Sequence, residues 1–337
     1  MVLGERFCRS SPVCSSTLRG QVSSGTSLPG SAAGNFTVIG LGELLWDMFP
    51  QGRQLGGAPA NFAYISSLLG DHGIVASRLG TDALGEEARR RFQHLRLPTD
   101  FLQSDTEHPT GTVQVHLDAG GQPRYEIAGP VAWDFFEMTS EWRALAAQAS
   151  AISYGTLAQR SAVSRKTILE FLDAAPSAAV RVFDVNLRQC FYTAAMLGDS
   201  ARRATVIKLN DEEFPAILRL LEAPAALSAT REPRTAMEWV LRATGAKLVC
   251  VTRGACGSLL ASPSDYHQHV GLHITVADTV GAGDAFAAAL VHHYLRGAAL
   301  AAMNEAANMM GAWVASCSGA TPEPDTRVLE KVRNAAA

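Results

Sequence analysis

The sequence predicts an α/β protein whose sheet is mostly parallel and covered by helices on both faces. Two observations indicate this class. Short β-branched runs recur along the chain, and each is followed by a polar turn and a helical pattern. The chain has 337 residues, of which 47% are hydrophobic, so it can bury a large core. In such sheets, ligands bind beyond the carboxyl ends of the strands.

The predicted elements alternate from residue 36 onward. Apolar runs and helical patterns predict, in order, a strand at 37–40, a helix at 59–69, a strand at 73–79 and a helix at 85–95. Further β-branched runs predict strands within 179–186, 204–210 and 246–254. Residues 222–234 have the composition of a surface connection.

One segment, residues 111–129, interrupts this alternation. Apolar and polar residues alternate on either side of a polar, glycine-rich turn at 118–121, which predicts a β-hairpin. Because the hairpin is inserted between βαβ units, we expect a small lid at about residues 106–136. An edge hairpin with no moving role would explain the pattern equally well.

Charge and composition narrow the class of partner. The net charge is −3 and there is no long Lys/Arg run, which argues against nucleic acid or an anionic membrane surface. No apolar stretch reaches the roughly 20 residues that cross a bilayer, so we expect no membrane span. The six cysteines lack the paired spacing of a zinc site, and free thiols suit a reducing compartment such as the cytoplasm. We therefore expect a small-molecule partner.

The first 35 residues form a separate region. They are rich in Ser and Gly and carry Glu5 as their only acid, a composition that cannot build a core. We expect a disordered extension, although an over-extended reading frame would look the same. Organelle targeting fits less well, since only the Ser and Arg content is typical of a transit peptide.

A glycine turn opens a predicted helix at residues 278–286, "DTVGAGDAF". The backbone amides of Gly281, Ala282 and Gly283 would lie at the positive end of the helix dipole, where they can bind a phosphate or a developing anion. Asp284 would lie beside them as a candidate general base. By itself the motif fits a second explanation almost equally well, in which Asp284 only stabilises the helix terminus by roughly 0.3 to 1 kcal/mol.

A second glycine turn favours the catalytic interpretation. In "LGGAPANFA", residues 55–63, Gly56 and Gly57 precede a helix that carries Asn61, and Asp47 lies upstream, just past the first strand. Carboxylate and amide groups can hydrogen-bond sugar hydroxyls. The two turns together predict a site with sugar on one side and phosphate on the other.

This set of motifs resembles the ribokinase and PfkB family of carbohydrate kinases, over residues 36 to 325. The resemblance implies a kinase domain at 36–330 with a ribokinase-like three-layer α/β/α sandwich, a mostly parallel central sheet and a small β lid. It implies ATP and Mg²⁺ as cofactors, with a monovalent cation such as K⁺ as a further candidate. It also implies a homodimer that pairs through the lid.

The resemblance also assigns roles to individual residues. The implied substrate-binding residues are Asp47, Gly56, Gly57, Asn61 and Arg188. The implied nucleotide-binding residues are Asn210, Thr252, Gly254, Gly257 and Asn308. The implied metal residues are Glu213 and Asp278, and the implied catalytic set is Gly281, Ala282, Gly283 and Asp284.

Several of these side chains have an alternative explanation. Asn210 and Glu213 have the spacing of a helix capping box, which is compatible with magnesium positioning but does not require it. Arg188 would face solvent as readily as substrate. His292 and His293 are adjacent on a predicted helix and should diverge, so we expect no shared ligand.

Other function classes fit the sequence less well. "VIGLGELL" lacks the third glycine of a dinucleotide fingerprint, and no acid lies between residues 48 and 70 to bind a ribose. No P-loop motif is present. A sugar-binding regulator on the same fold would be expected to lose the base that Asp284 supplies. Among substrates, fructose phosphorylated at a primary hydroxyl is our first expectation, with 2-keto-3-deoxygluconate next and ribose after it.

Overall fold

The computed structural model describes residues 35–49, 52–117, 123–228 and 232–335. Residues 1–34, which make up almost all of the predicted disordered extension, lie outside the described residues, as does the hairpin turn. Within the described ranges, no helix is both long enough and apolar enough to span a membrane.

Thirteen strands are described. They are β1 (Thr37–Leu41), β2 (Leu45–Phe49), β3 (Gly52–Gly56), β4 (His72–Gly80), β5 (Leu102–Asp105), β6 (Gly111–Leu117), β7 (Pro123–Ile127), β8 (Ala151–Tyr154), β9 (Val180–Asp184), β10 (Val206–Asn210), β11 (Leu248–Thr252), β12 (Ser258–Ala261) and β13 (Tyr266–His269).

The described helices alternate with these strands. They are α1 (Ala58–Leu68), α2 (Ala83–His94), α3 (Ser140–Ala147), α4 (Ala162–Ala174), α5 (Ala194–Arg203), α6 (Phe214–Leu220), α7 (Ala225–Ser228), α8 (Pro233–Thr244), α9 (Ala282–Leu295), α10 (Leu300–Ala315) and α11 (Thr326–Arg333).

The large sheet has nine strands in the order β13-β12-β11-β10-β9-β8-β1-β4-β5. The strands from β11 to β5 in this order pair in parallel, and β12 and β13 add an antiparallel edge. The predicted mostly parallel sheet is therefore confirmed.

Successive residues of one strand pack into two different cores, one on each face of the sheet. On β1, Val38 belongs to the core built with α1, α2, α9, α10 and α11, whereas Ile39 belongs to the core built with α3, α4, α5, α6 and α8. Because both faces are covered, the strands read as continuous apolar runs rather than as alternating ones. This packing confirms the predicted three-layer architecture.

A second, smaller sheet has the order β3-β2-β6-β7. The predicted hairpin is present as the antiparallel pair β6 and β7, but β2 pairs in parallel with β6, and β3 pairs with β2. Asp47, expected just past the first strand, lies within β2. The apolar run directly before Asp47 is only three residues long, Leu44 to Trp46, and gave no period from which a strand of a separate sheet could be recognised.

The predicted connection at residues 222–234 is only partly irregular. It contains the short helix α7, and α8 begins at Pro233. Proline is favoured in the first turn of a helix because the amide it lacks has no partner there anyway. The sequence predicted a surface connection without specifying its secondary structure, and Glu222, Pro224, Ala225 and Ala226 are exposed.

Candidate active site

A cavity of about 770 Å³ lies between the carboxyl ends of the large sheet and the small sheet. Its walls come from the residues that follow β1, β9, β10 and β11, from β2, and from the first turns of α1 and α9. The sequence-predicted residues that line it are Asp47, Gly57, Asn61, Arg188, Asn210, Glu213, Thr252, Gly281, Gly283 and Asp284.

The start of α9 has the geometry with which helix N-termini can bind an anion. Gly281 has the left-handed φ of 77° that favours glycine, and the chain turns there into the helix. No side chain caps the helix, and although the Ala282 amide donates to the Thr279 carbonyl at 3.3 Å, the amides of Gly283 and Asp284 remain available. They lie at the positive end of a 14-residue helix whose first turn contains Asp284.

Asp284 is held by Asn61 across the cavity. The Asn61 side-chain amide (Nδ2) donates a hydrogen bond of 2.8 Å to Asp284 Oδ2 and thereby joins α1 to α9. Burial in the cavity, together with the negative charge of Asp184, raises the pKa of Asp284 to about 6, against the opposing effects of Lys208 and Asn61. The carboxyl group is therefore ionised near neutral pH and basic enough to accept a proton.

A buried ion pair lies beneath the glycine turn. Lys208 Nζ donates to both oxygens of Asp184, at 2.9 and 2.8 Å. A methyl side chain placed on Gly283 would come within 3.2 Å of the same nitrogen. Burial alone would lower the pKa of Lys208, but the carboxylates of Asp184 and Asp284 raise it above its ordinary value. A positive charge therefore lies against the glycine turn at the start of α9.

The opposite side of the cavity is acidic and faces the small sheet. Burial raises the pKa of Asp47 to about 6, while the guanidinium of Arg188 acts in the opposite direction. Arg188 is exposed, yet it lines the cavity and lowers the pKa of Asp284 as well as that of Asp47. Arg188 therefore lines the cavity and also faces solvent. The two positions that the sequence allowed for it, facing substrate and facing solvent, are both partly correct.

Asn210 and Glu213 make the reciprocal hydrogen bonds of a capping box, across the turn that precedes α6. Asn210 Oδ1 accepts from the Glu213 amide at 2.8 Å, and Glu213 Oε2 accepts from the Asn210 amide at 2.9 Å. Glu213 Oε1 also accepts from the Leu187 amide at 2.7 Å. The carboxylate thus ties the turns after β9 and β10 together at the wall of the cavity.

Other sequence-predicted residues do not line the cavity. Asp278 shapes the turn before α9, because its carboxylate accepts from the amides of Val280 and Gly319. Asn308 is buried on α10, and its side-chain amide donates to Ser258 and Asn304. The other residues outside the lining are Gly56, Gly254, Gly257 and Ala282.

Three charged residues of the cavity lining, Lys208, Asp184 and Glu43, were not selected from the sequence. Lys208 had a usable signal, because a lysine inside an otherwise apolar strand must find a buried partner. Asp184 ends a predicted strand, where ligand-binding groups collect. Glu43, which directly follows Gly42 beyond β1, had no motif to mark it.

Comparisons with known proteins agree with this geometry. Residues 44–327 match the pfkB family carbohydrate kinase. The chain is 29% identical over 268 residues to a fructokinase of Salmonella typhimurium, covering 76% of this chain and 84% of that protein.

Two solved structures share the fold. One is the fructokinase of Xylella fastidiosa with bound ATP, with a TM-score of 0.75 and 22% identity over 88% of this chain and 97% of that one. The other is the 2-dehydro-3-deoxygluconokinase of Thermotoga maritima, with a TM-score of 0.73 and 18% identity over 88% of this chain and 99% of that one. Since the family match covers most of the chain, this protein belongs to the pfkB family of carbohydrate kinases, enzymes that transfer a phosphoryl group to an alcohol group of a carbohydrate.

Proposed function

We propose that this protein is an ATP-dependent fructokinase that phosphorylates a primary hydroxyl of fructose. The observation that carries the proposal is the placement of Asp284, held by Asn61, at the uncapped start of α9 and beside the Lys208 ammonium group. A base, an anion site and a fixed positive charge are what phosphoryl transfer to an alcohol requires. Fructose is favoured because the Salmonella typhimurium relative is named a fructokinase.

In the proposed reaction, the sugar hydroxyl oxygen attacks the γ-phosphorus of ATP as Asp284 accepts the hydroxyl proton. The bond from the γ-phosphorus to the bridging oxygen breaks, and ADP leaves with the electron pair. The first-turn amides of α9 and the charge of Lys208 stabilise the negative charge on the transferred group. Asp47 and Asn61 hold the sugar so that its hydroxyl faces Asp284.

Magnesium would enter with the nucleotide. Within the described residues, no group of three or more His, Cys, Asp or Glu side chains is arranged to hold a metal ion. Mg²⁺ keeps several waters and takes ligands from phosphates and one or two carboxylates, so a single protein carboxylate is enough for it. Glu213 at the cavity wall is the carboxylate we propose for this contact. The ion would neutralise phosphate charge during the transfer.

We propose that the adenine ring binds near the segment before α9. Four exposed apolar side chains alternate there, namely Val270, Leu272, Ile274 and Val276. An exposed apolar stripe of this kind marks a ligand site more often than an ordinary surface. Gly257 packs closely against Gly271 at the start of this segment, so the turn after β11 lies beside it.

The small sheet is our proposal for a dimer contact. It ends in the edge strands β3 and β7, and an edge presents unpaired backbone groups to a second chain. Analytical ultracentrifugation would give twice the chain mass of 35.8 kDa if two copies pair. Replacement of a β3 residue with proline should then yield the monomer, whereas an unchanged mass would contradict pairing through β3.

A 2-keto-3-deoxygluconate kinase is the second candidate. The observation in its favour is the exposed guanidinium of Arg188 at the sugar side of the cavity, where a substrate carboxylate could bind. The fold cannot choose between the two substrates, because the similar structures include both kinds of kinase.

The test is an ATP-consumption assay with fructose, 2-keto-3-deoxygluconate, ribose, glucose and adenosine. We expect the highest kcat/KM with fructose. Activity confined to the keto-acid would contradict the fructose assignment. Tight sugar binding without turnover of any of the five would contradict the kinase function and favour a regulator on the same fold.

A further inference from the structure

Glu43 lies where the large sheet leads into the small one. Gly42, Glu43 and Leu44 connect the end of β1 with the start of β2. Gly57, which leads from β3 into α1, packs against this connection. A methyl side chain on Gly57 would lie 2.5 Å from the Glu43 carbonyl oxygen. Glu43 is 4% exposed and lines the cavity on the same side as Asp47.

The carboxyl group of Glu43 is incompletely paired. Among the residues that the structure describes, Glu43 Oε2 is buried without a hydrogen-bond partner. A buried polar atom without a partner costs about 1 to 3 kcal/mol, so a native protein retains one mainly where a ligand or water supplies the partner. Asn61 Oδ1, which belongs to the same cavity wall, is also buried and unpaired within the described chain.

The charges around Glu43 all belong to the cavity. Burial raises the pKa of Glu43 to about 7, and the carboxylates of Asp284 and Asp184 raise it further while Arg188 opposes them. All three of these neighbours line the cavity. A group that is partly protonated near neutral pH can both donate to and accept from a sugar hydroxyl. The same acidic surroundings disfavour a second carboxylate brought in by a substrate.

We propose that Glu43 is a specificity-determining residue that hydrogen-bonds a hydroxyl of a neutral sugar and disfavours a sugar acid placed beside it. The proposal rests on the proposed sugar kinase function and names the residue that selects between its two candidate substrates. A neutral sugar supplies the partner that Oε2 lacks. A sugar acid would add negative charge to a cavity that already holds Glu43, Asp184 and Asp284.

The test compares Glu43→Ala and Glu43→Gln with the unchanged protein. Glu330→Gln is the matched control, since Glu330 is exposed on α11 and the chemical change is the same. Steady-state kinetics at pH 8 would give kcat and KM for fructose, for 2-keto-3-deoxygluconate and for ATP. Calorimetric titration with each sugar gives the same comparison without turnover, and thermal melting by circular dichroism confirms that each variant is folded.

For Glu43→Ala we expect the KM or Kd for fructose to rise roughly ten- to hundredfold, the size of a lost hydrogen bond to a charged group. We expect kcat and the KM for ATP to change less than about threefold, because the reacting groups stay in place. The kcat/KM for the keto-acid relative to fructose should rise at least about tenfold. Glu43→Gln should bind fructose nearly normally and accept the keto-acid better, because it keeps the hydrogen bonds without the charge.

Two results would overturn the role of Glu43: equal changes for both sugars, or no change for either. If Glu43→Ala does not fold, Glu43→Gln decides the matter through the ratio of the two sugars. Failure of the kinase function gives a different result, in which the unchanged protein turns over no sugar. Calorimetry then still tests whether Glu43 selects neutral sugars.

Discussion

The two sides of the cavity differ in how completely their polar groups are paired. On the phosphoryl side, Lys208 is bonded to both oxygens of Asp184, and Asp284 is bonded to Asn61. On the sugar side, Glu43 Oε2 and Asn61 Oδ1 are buried without partners among the described residues. The phosphoryl side is therefore set before any ligand arrives, whereas the sugar side is completed by its ligand. The difference suggests that catalysis depends on fixed charges and that substrate choice depends on the incompletely paired side.

Loss of the base is expected to have the largest effect. Asp284→Asn keeps the size of the side chain but cannot accept the hydroxyl proton, so kcat should fall roughly 10² to 10⁴-fold. This corresponds to about 3 to 5 kcal/mol of barrier. The measurement is kcat with the best sugar, with sugar affinity by calorimetry as the control for folding. Near-normal turnover would show that Asp284 is not the base.

The buried ion pair should affect stability as well as rate. Lys208→Met leaves Asp184 buried without its cation, and breaking such a pair costs about 3 to 5 kcal/mol. Urea denaturation would measure the free energy of unfolding. The double variant Lys208→Met, Asp184→Leu should recover much of the stability but not the activity, since the positive charge beside the turn stays absent. Full activity in the double variant would contradict a role for that charge.

Ionisation of Glu43 on the sugar side should destabilise the folded protein as pH rises. An ordinary ion-paired acid has the opposite effect. Because burial raises the Glu43 pKa from 4.5 to about 7, the folded state binds more protons than the unfolded state between these values. The contribution of Glu43 to the free energy of unfolding therefore falls as pH rises from 4.5 to about 7.

Glu43→Gln removes this cost. The stability of the variant relative to the unchanged protein should grow from about zero below pH 4.5 to roughly 3 kcal/mol above pH 7. Denaturation of both proteins across this range would measure the difference. Asp47 and Asp284 titrate in both proteins, so the difference reports Glu43 together with its coupling to Asp284. A difference that does not vary with pH would contradict the raised pKa.

Loss of the hydrogen bond between Asn61 and Asp284, which joins the two sides, should have the smallest effect. The Asn61 hydrogen bond lowers the Asp284 pKa against the burial that raises it to about 6. In the unchanged protein, kcat/KM should therefore decline as pH falls through about 6, because the base becomes protonated. Asn61→Ala should move this decline to higher pH by about one unit or less, a shift worth roughly 1 kcal/mol. A shift to lower pH would contradict the bond.

Local chemistry determined much of this protein from the sequence alone. The glycine turn before Asp284, the turn before Asn61 and the Asn210–Glu213 capping box are each contained in a few consecutive residues, and each lines the cavity. The continuous apolar strands likewise fixed the parallel sheet and its two helical layers, because strands buried on both faces carry that pattern. The ends of α1 and α2 differ from the predicted helices at 59–69 and 85–95 by one or two residues.

Tertiary structure alone decided which distant residues meet. Lys208 and Asp184 are 24 residues apart, and Asn61 and Asp284 are 223 apart, so no local pattern could pair them. β2 joined the small sheet because it pairs with the distant strand β6, a long-range pairing that sequence spacing does not encode, and β3 followed by pairing with β2, its neighbour in sequence. Asn308 turned to its own helix and to Ser258 rather than to the cavity. Motifs specify residue types and local turns, whereas packing decides which of those residues share an environment and so which charges act together.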